Sequence, residues 1–379
     1  MSAIHETASR FSRRAIAGSA IGLAATSVLG ALSQTRAQEA TPAAQPAGAP
    51  RGEWTEPEWS PDPLLFNVIS RTDDVVTIET PLDGTLEFPS NPQRVVAMQG
   101  GEDMFITFGY GDHLVNIASV EGNEPAFVSP QDAARFLTNP DLSYSIVYEP
   151  DVEAILALQP DLIFGPASDY VITDDLFETL SGFAPVLRYT VDDSNAFRGG
   201  ITSWGAYFGL EEMAAEAIAA FDDYVARGRA QIAPYVSDQN VAVFFGLENP
   251  LTGWGTEEGR IVAGSAMAVP FYRELGLRPT GFVEQLADEE GREGSFAIMG
   301  ISLEQLGQID ADVMFVIEST PEGEALARAN LAAEVLRNVP AIQQGQAYVV
   351  SMSDFGGGYL GTARAVQLAV EVISRRPLI

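Results

Sequence analysis

The chain reads as an α/β protein with two Rossmann-like α/β lobes joined by a single long α-helix and a cleft between the lobes. Three observations predict this. Between Glu211 and Ala233, Met213, Ala214, Ala217, Ile218, Phe221, Tyr224, Val225 and Ile232 recur at three- and four-residue steps, the stripe of an amphipathic helix. At about 1.5 Å per residue this stretch is a rod of roughly 35 Å. A strand–helix alternation of similar length lies on each side of it. Two units, VEAILALQPDLIF (152–164) and LEQLGQIDADVMF (303–315), share a helix–stop–strand pattern, with Glu153 on Glu304, Asp161 on Asp312 and Phe164 on Phe315. Chance can produce so few identities, but the shared pattern favours duplicated lobes. A crossover helix inside one large domain is the alternative that the long helix alone leaves open.

Composition bounds what such a protein can do. With 379 residues, 46% of them hydrophobic, there is core enough for two domains. The formal net charge is −31, and all 21 basic residues are Arg. No basic surface for a nucleic acid can be assembled from that balance. The chain has no Cys, which removes disulfides, thiolate metal sites and a Cys nucleophile. His5 and His113 are its two histidines, so a multi-His metal site is excluded.

The elements follow in order. Ser12-Arg13-Arg14 ahead of the weakly apolar run from Ala15 to Leu32 predicts a twin-arginine (Tat-type) signal peptide over residues 1–38, with a basic flexible tail as the alternative. Residues 39–74, rich in Ala, Pro and Gly at first, are expected to be a linker. The N-terminal lobe is expected over 75–200. It opens with a hairpin, Val75–Thr80 and Thr85–Phe88, around the turn Pro81-Leu82-Asp83-Gly84. Arg94–Met98 is a short buried-type strand, followed by a helix over Glu102–Phe108 and a strand over Val115–Ser119. In the unit 152–164 Pro160 stops a helix before the strand Leu162-Ile163-Phe164. A helix over Thr173–Leu180 and a strand over Pro185–Tyr189 close the lobe. The bridging helix region is placed at 201–234, ended by Pro234. The C-terminal lobe, 235–379, has a strand over 241–245, helices over Ser265–Leu275 and Glu324–Asn338, a strand over Ala347–Ser351 and a closing helix over Thr362–Ser374.

Four stretches in this order, NPQRVVAM after the hairpin, YEPDVEAILALQPDLIFG (148–165), ISLEQLGQIDADVMFVIES (301–319) and VPAIQQGQAYVV (339–350), resemble the substrate-binding proteins of ABC importers for iron-siderophores, haem and cobalamin. The resemblance covers about residues 75–379. It implies an extracytoplasmic, monomeric protein that captures a ferric siderophore, or haem or cobalamin instead, and hands it to an ABC importer permease. It implies no catalysis and no cofactor. It also implies that Glu153 and Glu304 form salt bridges with Arg on the two permease subunits; complementing a helix N-terminus is their plainer role. The family's lipoprotein Cys is missing here. An exported enzyme and a surface interaction protein on the same fold are the competing classes, although no Gly-x-Ser-x-Gly elbow, phosphate loop or dinucleotide fingerprint occurs.

A ligand held between such lobes meets the loops at the carboxyl ends of the strands. Those loops nominate Gln99, Tyr170, Trp254 between Gly253 and Gly255, and Phe355 and Tyr359 around a glycine run, as ligand-lining residues. For the aromatics the alternative is packing on their own lobe. Arg188 and Arg260 are the candidate partners of an anionic ligand, against the alternative of surface pairing with carboxylates.

Overall fold

The computed structural model describes residues 56, 59 and 61–378, apart from 100, 120–124, 147–149, 169–170, 191–196, 237–238, 246–260, 264–269, 284, 286–297, 302–308, 319, 356–357 and 376–377. A three-stranded antiparallel sheet comes first, built of β1 (Asn67–Arg71), β2 (Val75–Thr80) and β3 (Gly84–Pro89) in that order. Gly84 makes its hairpin turn at φ 71, where a side chain would be strained. The hairpin was expected. Strand β1 was not, since it falls inside the stretch read as linker.

The first lobe is a five-stranded parallel sheet of β4 (Val95–Ala97), β5 (Leu114–Ser119), β6 (Ser143–Ile146), β7 (Leu162–Pro166) and β8 (Val186–Tyr189), in the order β6-β5-β4-β7-β8. The strand order reverses at β4 and β7, so the crevice of the sheet lies beyond their carboxyl ends. β5 and β7 are buried along their whole length, as strands covered on both faces must be. The connecting helices are α1 (Glu102–Thr107), α2 (Pro130–Phe136), α3 (Val152–Ala157) and α4 (Asp174–Ser181). Ser129, Asp151 and Thr173 cap the last three by accepting the N–H of Asp132, Ala154 and Leu176. Helix α3 ends before Pro160, which cannot continue the ladder, and Gln159 follows the Leu158 cap in the left-handed region at φ 51, turning the chain out of the helix.

Two helices bridge the lobes. α5 (Phe197–Phe208) starts ahead of the bridging region expected at 201–234 and was not separated there from the long helix, which is α6 (Glu211–Val236). Ala214, Ala217, Phe221, Tyr224, Val225 and Ile232 of the expected stripe are buried. The helix runs through Pro234 to Val236, because a proline in the last turn removes one ladder bond and leaves the preceding turns intact. The segment before β1 straps onto these helices. Asp62 accepts the N–H of Arg198 at 3.0 Å, and Ser203 Oγ accepts the N–H groups of Leu65 and Phe66 while donating to the Phe66 carbonyl at 2.8 Å. A Cβ on Gly199 would stand 1.8 Å from the Pro63 carbonyl oxygen, so only glycine admits the strap there.

The second lobe contains β9 (Asn240–Phe245), β10 (Ile261–Ala263), β11 (Arg278–Pro279), β12 (Ile298–Ile301), β13 (Val313–Glu318) and β14 (Ala347–Ser351), in the order β12-β10-β9-β13-β14 with β11 beside β9. β9, β13 and β14 run parallel, and β10 turns back antiparallel. Among the residues expected as helix 265–275, a π-helical turn occupies Pro270–Glu274, and Gly276 ends it at φ 63. Helix α7 (Pro321–Asn330) starts earlier than expected, because Thr320 caps it and Pro321 opens its first turn; its successor Glu334–Leu336 is only a 3-10 turn. Then come α8 (Pro340–Gln343), α9 (Met352–Phe355) and the closing helix α10 (Gly358–Ser374). α10 begins at Gly358 rather than Thr362, and it packs along α6, α1 and α5.

Candidate functional site at the cleft floor

The place where the lobes meet can be built from strand exits. Strand β4 ends at Ala97, and the chain passes Met98 and Gln99 into α1. In the second lobe β14 ends at Ser351, and α9 leads into α10. The first turns of α1 and α10 then touch: Asp103 Oδ2 accepts the backbone N–H of Tyr359 at 2.7 Å, between residues 256 positions apart. Gly358 makes the approach possible. Its φ is +83, and a Cβ there would lie 1.9 Å from the same carboxylate oxygen. Farther along α10, Arg364 pairs with Asp132 of α2, a second tie between the lobes.

This floor is dry and acidic. Glu102 is 0% exposed and Asp103 2%. Tyr189, at the end of β8, is buried against both carboxyls, and its phenol is pushed up first by burial and then by Glu102 and Asp103. Burial, and after it the Glu102 charge, push the Asp103 carboxyl up to about 8, against the N–H groups of Tyr359, Leu360 and Met104, which favour its charged form. Among the described residues no three His or acidic side chains form a group that could hold a metal ion.

The nominated residues have separate fates. Gln99 is half-buried at the exit of β4. Tyr359 is in the first turn of a helix, 4% exposed, with its ring against Phe197 and Phe221. Arg188 is committed to structure. Its guanidinium holds Asp83 of the hairpin turn through three contacts of 2.8–3.1 Å, reaches Asp174 at 2.5 Å and lies 4.2 Å from the Phe177 ring centroid. The carboxylate pairing weighed as its alternative is the arrangement found. Phe355 ends the short helix α9. Tyr170, Trp254, Arg260 and Glu304 lie outside the described residues. Glu153 is exposed in the first turn of α3, on the strand-exit side of the first sheet. Glu102, Asp103 and Tyr189 were not singled out. Their only signal was a pair of carboxylates directly after a glycine pair at a strand exit.

Two α/β lobes, bridged by a long helix and meeting at their strand exits, define the two-lobed binding-protein class. A model described as periplasmic binding protein matches residues 143–352, more than half of the chain, and the chain belongs to that family. Among curated proteins it is 23% identical over 282 residues to the probable siderophore-binding lipoprotein YfiY of Bacillus subtilis, covering 72% of this chain and 79% of that one. It is 26% identical over 207 residues to the ferric enterobactin-binding periplasmic protein FepB of Escherichia coli, covering 55% of this chain and 62% of the relative. Among solved structures, FeuA of Bacillus subtilis, a triscatecholate siderophore-binding protein complexed with ferri-bacillibactin, superposes with a TM-score of 0.60 at 19% identity, covering 79% of this chain and 98% of that one. SirA of Staphylococcus aureus, complexed with staphyloferrin B, gives 0.58 at 19% identity, covering 77% and 95%. At such identities the structures speak for the fold.

Proposed function

We propose that this chain is an extracytoplasmic binding protein that captures a ferric siderophore between its lobes and delivers it to an ABC importer. The observation that carries the reading is the two-lobed family fold together with curated relatives named for siderophore binding. Haem or cobalamin in the same cleft is the second ligand class. The protein acts as a monomer, turns nothing over and reaches its compartment by the twin-arginine leader. Gln99, Tyr170, Trp254, Arg260 and Phe355 line the ligand, with Trp254 as its aromatic platform. Arg188 and Tyr359, nominated with them, serve the scaffold on the contacts described above.

Titration of Trp fluorescence with ferric siderophores, haemin and cobalamin tests this. Saturable quenching by a ferric siderophore, with the chelate recovered unchanged, is the expected result. A response to haemin or cobalamin alone moves the ligand class, and hydrolysis of the chelate overturns the binding reading. Replacing Trp254 by Ala weakens binding by about 1–3 kcal/mol if the ring stacks on the ligand. For the permease, Glu153 and Glu304 are the proposed anchors, one per lobe. Their double replacement by Ala leaves folding and ligand affinity unchanged and abolishes uptake, a salt-sensitive loss, because salt screens the parent's interfacial charge pairs. Normal uptake by that variant removes the assignment.

A further inference from the structure

We propose that the chelate this protein captures carries no net negative charge: it is a ferric tris-hydroxamate, neutral or cationic, and not a tris-catecholate. The inference rests on the ferric-siderophore reading above and names the class within it. Three hydroxamates, each singly charged, neutralise ferric iron, and a pendant amine makes the chelate cationic. Three catecholates, each doubly charged, leave it trianionic. An anion of that charge, taken out of water, needs cations or unoccupied helix N-termini around it.

The first lobe offers neither. A ligand in the cleft faces the connections that leave the carboxyl ends of the strands. In the first lobe these are residues 98–101, 120–129, 147–151, 167–173 and 190–196, and their sequence contains seven acidic residues and no basic one. The helices that follow begin on the same side of the sheet. The first turns of α1, α2, α3 and α4 all carry carboxylates, namely Glu102 and Asp103, Asp132, Glu153, and Asp174 and Asp175. These take up the positive helix ends that would otherwise attract an anion.

From Asn67 to Phe208 the chain has five arginines and one histidine, and each is engaged away from the cleft or by a carboxylate. Arg71 donates to the Tyr207 carbonyl at 3.0 Å, and Arg94 to the Leu158 carbonyl at the entrance of β4. Arg135 lies over the Phe136 ring in the last turn of α2, far from the strand exits. Arg188 and Arg198 are each held by two carboxylates, and His113 sits against the Pro92 carbonyl at the entrance of β5. The second lobe does not make up the difference. The sequence leaving β9, β13 and β14 contains one basic residue, Arg260, and Arg364 of α10 is paired with Asp132. A cleft lined by one sign of charge focuses its field, here on a chain of net charge −31. A trianionic chelate would enter against that field with one arginine to meet it. A neutral chelate is indifferent to the field, and a cationic one is drawn in.

Equilibrium titration of the purified protein with three ferric chelates at low and at high salt tests this. Ferrioxamine B is a cationic tris-hydroxamate, ferrichrome a neutral one, and ferric enterobactin a tris-catecholate. At low salt the two tris-hydroxamates are expected to bind about a hundredfold tighter than ferric enterobactin, since like charges are brought together only in the last. Added salt weakens ferrioxamine B, strengthens ferric enterobactin and leaves ferrichrome nearly unchanged. Glu102→Gln at the floor and Asp175→Asn at the exposed rim each remove one negative charge. Each should narrow the ratio of ferrichrome to ferric enterobactin affinity, Glu102→Gln by more and Asp175→Asn by about twofold. The exposed variant keeps the test open if the buried one does not fold. Ferric enterobactin bound as tightly as ferrichrome overturns the proposal, and so does a ratio that neither salt nor Asp175→Asn moves. Either result leaves the ferric-siderophore reading standing, because a chelate still binds. Failure of all three chelates, with haemin or cobalamin bound instead, overturns that reading and this inference together.

Discussion

Asp161 in the first lobe and Asp312 in the second occupy the same structural place. Asp161 donates its backbone N–H to the Arg94 carbonyl at 3.0 Å, and its carboxylate accepts the N–H of Arg94 at 2.8 Å and of Gln93 at 2.7 Å. Asp312 donates its N–H to the Asn240 carbonyl at 2.8 Å, and its carboxylate accepts the Asn240 N–H at 2.8 Å. Each aspartate thus clamps the entrance of its lobe's first strand, β4 or β9, to the strand it precedes, β7 or β13. The clamp fixes parallel register at the end of the sheet opposite the cleft.

The clamps differ in burial, and that decides their worth. Asp312 is 8% exposed, whereas the Asp161 bonds lie at the surface. Asp312→Ala strands a buried N–H and costs about 1–3 kcal/mol; Asp161→Ala lets water replace the carboxylate and costs about 1 kcal/mol or less. Urea unfolding of the two variants measures both. Equal losses would mean that burial does not set the difference.

Much of this fold could be read from sequence because the informative residues act locally. The helix–Pro–strand unit carries its own stop signal in Pro160, and the repeated Asp161 and Asp312 mark the two strand entrances. Helix α5 could not be read in the same way. Its glycines lower helix propensity, yet Gly199 admits the Pro63 carbonyl, and a Cβ on Gly205 would stand only 2.5 Å from the Ala214 methyl. Such contacts have no local trace. The cleft floor was hidden for a related reason. Among 52 acidic residues a carboxylate pair signals nothing, and Asp103 gains meaning from Tyr359, far away in the chain. Arg188 was misread because a strand-end position does not reveal which way the side chain points: Tyr189 turns to the floor and Arg188 to the hairpin.

Arg188 therefore yields a prediction about stability. The side chains of Arg188 and Asp83 are 13% and 9% exposed, so removing one leaves the other charge poorly hydrated. Arg188→Gln destabilises the protein by about 2 kcal/mol, as the loss of charged hydrogen bonds at a mostly buried pair implies. Ligand affinity in the folded variant stays unchanged. A tenfold or larger loss of affinity without loss of stability would return Arg188 to the ligand site.

Asp103 also makes stability depend on pH. Its folded value, about 8, lies above the ordinary 3.8, so the unfolded chain releases this proton first as pH rises. Between those two values the unfolded state binds fewer protons, and stability falls with rising pH; beyond about 8 the contribution is flat. Asp103→Asn removes this slope and gains stability over the parent, a gain near zero at pH 4 and largest at pH 8. Thermal melts of both proteins at matched ionic strength check the sign. A gain that shrinks as pH rises contradicts the assignment.

The bridge predicts how far the lobes can move. α6 spans Glu211–Val236 with its backbone ladder intact ahead of Pro234, and α10 lies along it. The strap adds a third support. Arg198 of α5 grips Asp222 of α6 and Glu274 of the second lobe at 2.7 Å each, Arg273 pairs with the Asp62 side chain, and Arg229 of α6 holds Glu56 at 2.8 and 2.9 Å. Bending the bridge would break helix hydrogen bonds and this ion network together, so closure on a ligand is small. X-ray scattering profiles with and without ligand superimpose, and the radius of gyration changes by less than about 1 Å, as expected when no extended-strand hinge carries the motion. Arg198→Ala unties α5 from Asp222 of α6 and from Glu274 of the second lobe and should increase the ligand-induced change. A large contraction in the unsubstituted protein would show that α6 is not a rigid spacer, and an Arg198→Ala profile identical to the parent's would confine the role of these ion pairs to stability.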